Sequence, residues 1–198
     1  MIEEFSNICE FHEKMKLGYS GPERAISREY VDFRSRFMLE ELGEYMDAVV
    51  RSDPAKMLDA LVDLCYVGIG TLYLHGFRPR PWLMSPLHTL SFSPLSVGRD
   101  PHTGTQIFEL LSEGIERYRR SAILLTPQGL IVAREGLHEV IFGSEYAARR
   151  IHLFQFEMAW KRVHAANMLK ERRATARSGE YDVAKPEGWS APDLSDLV

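Results

Sequence analysis

The chain has 198 residues, 45% hydrophobic and 26% charged, with a formal net charge of −4. That length can bury one real core, and the acidic balance argues against a dedicated nucleic-acid partner. Two distant cysteines, Cys9 and Cys65, exclude a disulfide framework and a cysteine-rich metal site and suit a reducing cytoplasm.

The opening Met1-Ile2-Glu3-Glu4 carries acid where an export signal carries base. Apolar periodicity then predicts a helix over 5–17, ended by Gly18 to Pro22. A second helix is expected over 27–51 with Ser27 as N-cap, and a third from Pro54 to about His75, stopped by Gly76. The longest apolar run, Leu64 to Leu74, is shorter than a bilayer span, so no membrane partner is expected. Between Gly76 and Gly104 stand five prolines, at 79, 81, 86, 94 and 101, which predict an irregular loop over 77–106. Helical spacing returns over 106–122, 127–150 and 154–176, and a Pro/Gly-rich extended tail follows over 178–198. The whole reads as one all-α domain over 1–198, with a loop-plus-helices insertion at about 78–153. A faint echo links Glu41, Glu44, Asp59 and Asp63 to Glu113, Glu116, Glu135 and Glu139.

Chemistry concentrates in five acids. Glu40, Glu41 and Glu44 share a helix at spacings of three and four, as do Asp59 and Asp63 on the next helix. The short Arg51-Ser52-Asp53-Pro54 connection makes the two helices antiparallel neighbours, so both groups should meet at one level. Asp63 sits among Ala60, Leu61, Val62, Leu64, Cys65, Tyr66 and Val67, where a lone charge is costly and calls for a cation, a base or a proton. Hard oxygen donors in that number suit Mg²⁺ or Mn²⁺. A solvated helix face is the alternative for Glu40, and a structural ion-pair network for the group.

At Glu41-Leu-Gly-Glu44 and Asp63 the sequence resembles the MazG-like all-α NTP pyrophosphohydrolases, whose motif pairs Glu-x-x-Glu on one helix with Glu-x-x-Asp on the next. Position 60, three before Asp63, is Ala, and Asp59 is the substitute. Phe11-His12 resembles the family's opening Phe-His. Trp160 to Lys170, Lys185-Pro-Glu-Gly-Trp189 and Pro192-Asp193 are similar to the C-terminal signature of a phage and bacterial branch, some of whose members act on dGTP or dATP. The resemblance implies a MazG-like helical bundle that cuts a (d)NTP between its α and β phosphates. It further implies Glu41, Glu44, Asp59 and Asp63 as metal ligands, Glu40 or Glu41 as the catalytic carboxylate, and homodimers or homotetramers. Asn167, Lys170 and Lys185 are the implied polyphosphate contacts. His164 joins that set, against the reading of a hydrogen-bonded structural histidine. Trp160 and Trp189 are either base-stacking residues or core. Base contacts are expected from loops and from 78–153. Two competing readings are a non-catalytic helical oligomer or binding module, and a nucleic-acid binder using the basic stretch 161–177.

Overall fold

The computed structural model describes residues 2–79, 101–151, 155–172 and 183–198. Among them are six α-helices, a terminal 3-10 turn at Ser195–Leu197, and no strand beyond one isolated bridge between Glu171 and Ala184. The helices are α1 (Ile2–Lys14), α2 (Arg28–Arg51), α3 (Pro54–Leu74), α4 (Pro101–Ala122), α5 (Pro127–Ile151) and α6 (Phe156–Met168).

Local chemistry sets the helix ends. The Ser27 hydroxyl accepts the Tyr30 N–H at 3.2 Å and opens α2. Ser52, left-handed at φ 54°, closes it by donating its N–H to Ala48 and Val49 carbonyls. Asp53 Oδ1 then accepts the Lys56 N–H at 3.0 Å, and Pro54 starts α3 where no N–H is needed. A reversal this short lays α2 and α3 antiparallel.

Three helix expectations change, the first being α1, which runs over Ile2–Lys14 rather than 5–17. Helix α4 begins at Pro101 rather than 106, while the expected loop falls mostly on 80–100, outside the described residues. Helix α6 ends at Met168 rather than 176. There the Leu169 and Lys170 amides turn back three residues, to Ala166 and Asn167 carbonyls, and the next amide, Glu171, pairs reciprocally with Ala184 at 2.9 and 2.7 Å. The returning C-terminal segment takes the hydrogen bonds that a longer helix would use.

Helices α2 and α3 pack on α4 and α5, with α3 against α5 and α2 against α4, while α1 and α6 lie on the remaining side of α3. Helix α3 is therefore central. Its 21 residues are long and apolar enough to cross a membrane by length and composition, which corrects the shorter span expected from Leu64 to Leu74. Here 89% of that apolar window is buried inside the molecule, the mark of a core helix. Leu58, Leu61, Leu64, Ile69 and Leu72 are fully covered. Within the α4–α5 pair the backbones approach closely at Gly136, where an added Cβ would stand 2.7 Å from the Tyr118 amide nitrogen and 2.8 Å from the Gly114 carbonyl oxygen. Because those neighbours are backbone, Gly136→Ala must push the helices apart. We expect a loss of about 1–3 kcal/mol, as for overpacked cores, read as a lower Tm in thermal unfolding with the helical circular-dichroism signal retained at low temperature.

Candidate functional site

The α2–α3 hairpin opens on one side into a cavity of about 260 Å³, closed by α1, the end of α6 and the C-terminal segment. Along α2 the lining side chains are Arg34, Phe37, Glu40, Glu41 and Glu44; along α3 they are Lys56, Asp59, Asp63, Tyr66 and Val67. Both series follow the three- and four-residue steps of a single helix face. Asn167 and Lys170 reach in from α6 and the turn after it, and Lys185 and Trp189 from the C-terminal segment. All five acids singled out in the sequence therefore face one space, together with three of the four expected substrate contacts.

The acids differ in setting. Glu40 and Glu44 are exposed at the rim, whereas Glu41, Asp59 and Asp63 are partly covered. Burial and the negative charges of Asp63, Glu44 and Asp59 push the Glu41 carboxyl up to about 9, against a partial pull from Lys170. Asp63 is raised to about 7 by burial and by Asp59 and Glu44, with Lys170 and Lys185 opposing. Like charges crowd together here faster than the lysines can neutralise them. Asp59 accepts from Lys56 Nζ at 3.1 Å through one oxygen, while its Oδ1 is buried without a hydrogen-bond partner among the described residues.

That orphaned oxygen, the two raised carboxyls and an all-oxygen donor set fit a hard divalent cation. Glu41, Glu44, Asp59 and Asp63 are the side chains that would hold it. They line the walls without closing into a ready-made cage: no three His, Cys, Asp or Glu groups among the described residues already enclose an ion.

Asn167 is buried at the cavity wall, near enough to the Tyr66 hydroxyl to oppose in part the rise that burial imposes on it. His164 lies outside the lining, contrary to its expected place against substrate. Its Nδ1 meets the Tyr66 hydroxyl at 3.1 Å and its Nε2 lies 3.8 Å from Glu10, so it backs the wall from behind. Trp160 is likewise interior: it packs on Tyr66 with ring centroids 5.2 Å apart and donates to Asn7 Oδ1 at 2.9 Å. Trp189 does line the cavity, and Lys185 Nζ stands 4.3 Å above its ring centre.

The basic stretch 161–177 is not one helix face. Arg162 grips Asp196 with two N–H groups at 2.5 and 2.7 Å, and Arg172 donates to the Met15 and Lys16 carbonyls. Arg173 and Arg177 lie outside the described residues. The echo acids on α4 and α5 do not reach the cavity; Glu139 pairs with Arg117, and Glu116 with Arg119 and Arg120. None of the described residues of α4 or α5 lines the cavity, so the expected base contacts from 78–153 are not seen there. The sequence pattern did not single out Arg34, Phe37, Lys56 or Tyr66. The signal was available, since Arg34, Phe37, Glu41 and Glu44 form one stripe on α2.

Residues 8–85 match the family model described as phosphoribosyl-ATP pyrophosphohydrolase. The comparisons with curated proteins and with solved structures return no match. The matched stretch contains both acid-bearing helices, and over it the chain is similar to a nucleotide pyrophosphohydrolase family of the MazG-like all-α superfamily.

Proposed function

We propose that the chain is a divalent-metal-dependent nucleoside triphosphate pyrophosphohydrolase, converting a (d)NTP and water to the (d)NMP and pyrophosphate. A purine deoxynucleotide, dGTP or dATP, is the substrate put forward. The observation that carries this reading is the convergence of Glu40, Glu41, Glu44, Asp59 and Asp63 on one cavity that also receives Lys56, Lys170 and Lys185. Such a cavity suits a group that is anionic itself yet binds through cations. Mg²⁺, or Mn²⁺ in its place, would supply Lewis-acid polarisation of the phosphate oxygens and a more acidic water.

The chain's own groups divide the remaining work. Glu44, Asp59, Asp63 and Glu41 present carboxylate oxygens to the cation side. Glu41 or Glu40 orients the attacking water and takes its proton; Glu41 is the better shielded and Glu40 the more accessible. Lys170 and Lys185, already close enough to lower the Asp63 carboxyl, offset charge on the departing β and γ phosphates as mobile point charges. Asn167, buried in the cavity wall, offers a donor and an acceptor. Homodimeric or homotetrameric assembly belongs to the same proposal, and light scattering on the purified chain checks it.

Product analysis across the eight common (d)NTPs with Mg²⁺ or Mn²⁺ tests the reading directly. Monophosphate plus pyrophosphate is the expected pair; no pyrophosphate from any nucleotide would leave a binding module in its place. Glu44→Ala and Asp63→Ala should each lower kcat/KM by more than about 100-fold, because even outer-shell partners of metal ligands cost about 10- to 100-fold. Circular dichroism of both variants should keep the helical signal.

The raised carboxyls predict a pH effect with a definite sign. Glu41 and Asp63 hold protons in the folded chain that they release when unfolded, so their contribution is complete below about pH 4. It is lost as pH rises through about 7 for Asp63 and about 9 for Glu41. Without divalent ions, stability should therefore fall across this window. Added Mg²⁺ should raise Tm more at the alkaline end than at the acid end, since it takes over the role of the protons. A Mg²⁺ effect on Tm that is the same at both ends would separate these acids from the cation.

A further inference from the structure

The acids occupy only one end of the cavity. Arg34 stands seven residues before Glu41 on the same face of α2, about 10 Å along the helix axis at 1.5 Å per residue. Around it are Phe37, Phe11, His12 and Val67, an aromatic and apolar surround unlike the charged end near the α2–α3 turn.

Arg34 is buried and held in plane. Its Nε donates to Thr71 Oγ1 at 2.9 Å and its Nη2 to the Val67 carbonyl at 2.7 Å, while Thr71 Oγ1 donates to that same carbonyl. His12 lies beside it, with Nδ1 2.9 Å from the Ile8 carbonyl. A carbonyl only accepts, so Nδ1 carries the proton, and burial with the neighbouring Arg34 charge keeps the ring neutral at physiological pH. Nε2 is then an acceptor. Gly70 makes the pairing possible: a Cβ there would stand 2.9 Å from His12 Cε1 and 3.1 Å from Arg34 Nη2.

We infer that Arg34, with His12 beside it, is the specificity-determining group for the base, and that it selects guanine over adenine. This rests on a nucleoside triphosphate being the substrate, with its phosphates at the acidic end. The distance from the acids to Arg34 is comparable with the reach from an α-phosphorus to the far edge of a purine. A guanidinium has donors only, and guanine turns O6 and N7 acceptors toward such a group. Adenine puts the N6 amino group where O6 would be, so N–H would face N–H in a buried place. His12 Nε2 supplies an acceptor for the ring N–H that guanine carries next to O6.

The test needs no variant to begin. Initial rates of pyrophosphate release with Mg²⁺ are compared for dGTP, dITP, dATP and 2-aminopurine deoxyribonucleoside triphosphate. Inosine keeps O6 and the ring N–H, whereas 2-aminopurine keeps the 2-amino group and lacks O6. We expect kcat/KM for dITP within about threefold of dGTP, and both dATP and the 2-aminopurine nucleotide about 100-fold or more below it. Comparable rates for dGTP, dATP and the 2-aminopurine nucleotide would overturn the Arg34 assignment while leaving the pyrophosphohydrolase reading intact. Silence with all four, and with the pyrimidine nucleotides, would overturn that reading and this inference with it. In Arg34→Gln the amide can pair with adenine N6 and N7, so the dGTP to dATP preference should fall by about 100-fold. If that variant does not fold, the analogue series on the unaltered chain decides.

Discussion

Carboxylates brought together between two packed helices, where water is scarce, repel one another, and everything at this site follows from how that repulsion is relieved. Glu41 and Asp63 come from different helices and hold their protons far above the usual carboxylate range, first because burial penalises their charged forms and then because nearby carboxylates repel them, chiefly Asp63 and Glu44 for Glu41 and Asp59 and Glu44 for Asp63. A protein keeps such an arrangement only if another species takes up the charge. Three lysines ease it in part, from α3 and from both sides of the α6 turn. The buried, unpartnered oxygen of Asp59 marks where the relief is incomplete. A divalent cation with phosphate oxygens, as the proposed function requires, would answer both needs at once.

The rest of the molecule holds those two helices in register. The central helix α3 is covered by α5 on one side and by α1 and α6 on the other, so its acids face a fixed direction. The α4–α5 pair, packed through Gly114 and Gly136, serves as backing and sends no described side chain to the cavity. On the open side the C-terminal segment is pinned twice. The Glu171–Ala184 bridge holds one end, and the Arg162 grip on Asp196 holds the other, with Leu194 and Leu197 buried beneath. Lys185 and Trp189 lie between the two anchors. Cavity-lining groups far apart in the chain are thereby carried on backbone that the fold has already ordered, which limits the entropy any ligand bound there would cost.

The cavity has a polarity that matches a nucleotide. Its charged end gathers carboxylates and lysines, and its aromatic end holds a fixed guanidinium beside a neutral imidazole. Two helical turns of α2, from Arg34 to Glu41, join these ends as a rigid spacer. On the proposed function, polyphosphate chemistry and base selection would both be properties of the same helix pair.

Much of this was legible in the sequence because it depends on local rules. The cap at Ser27, Pro54 at the first turn of α3 and the apolar periodicity determined α2, α3 and their reversal, and acid spacing on each helix placed Glu41, Glu44, Asp59 and Asp63 on facing sides. Where the outcome depended on competition between distant segments, local pattern was blind. Helical propensity carried α6 onward to 176, but Ala184 returned to claim the Glu171 amide and carbonyl, and the helix stopped at Met168. His164 and Trp160 looked available on a helix, but Tyr66, from another helix, holds His164 behind the cavity wall and packs Trp160 into the core. Arg34 was one charge among 24 basic residues until Thr71 and Val67 fixed it in the cavity wall. Periodicity determines which residues share a face; only tertiary packing decides what that face meets.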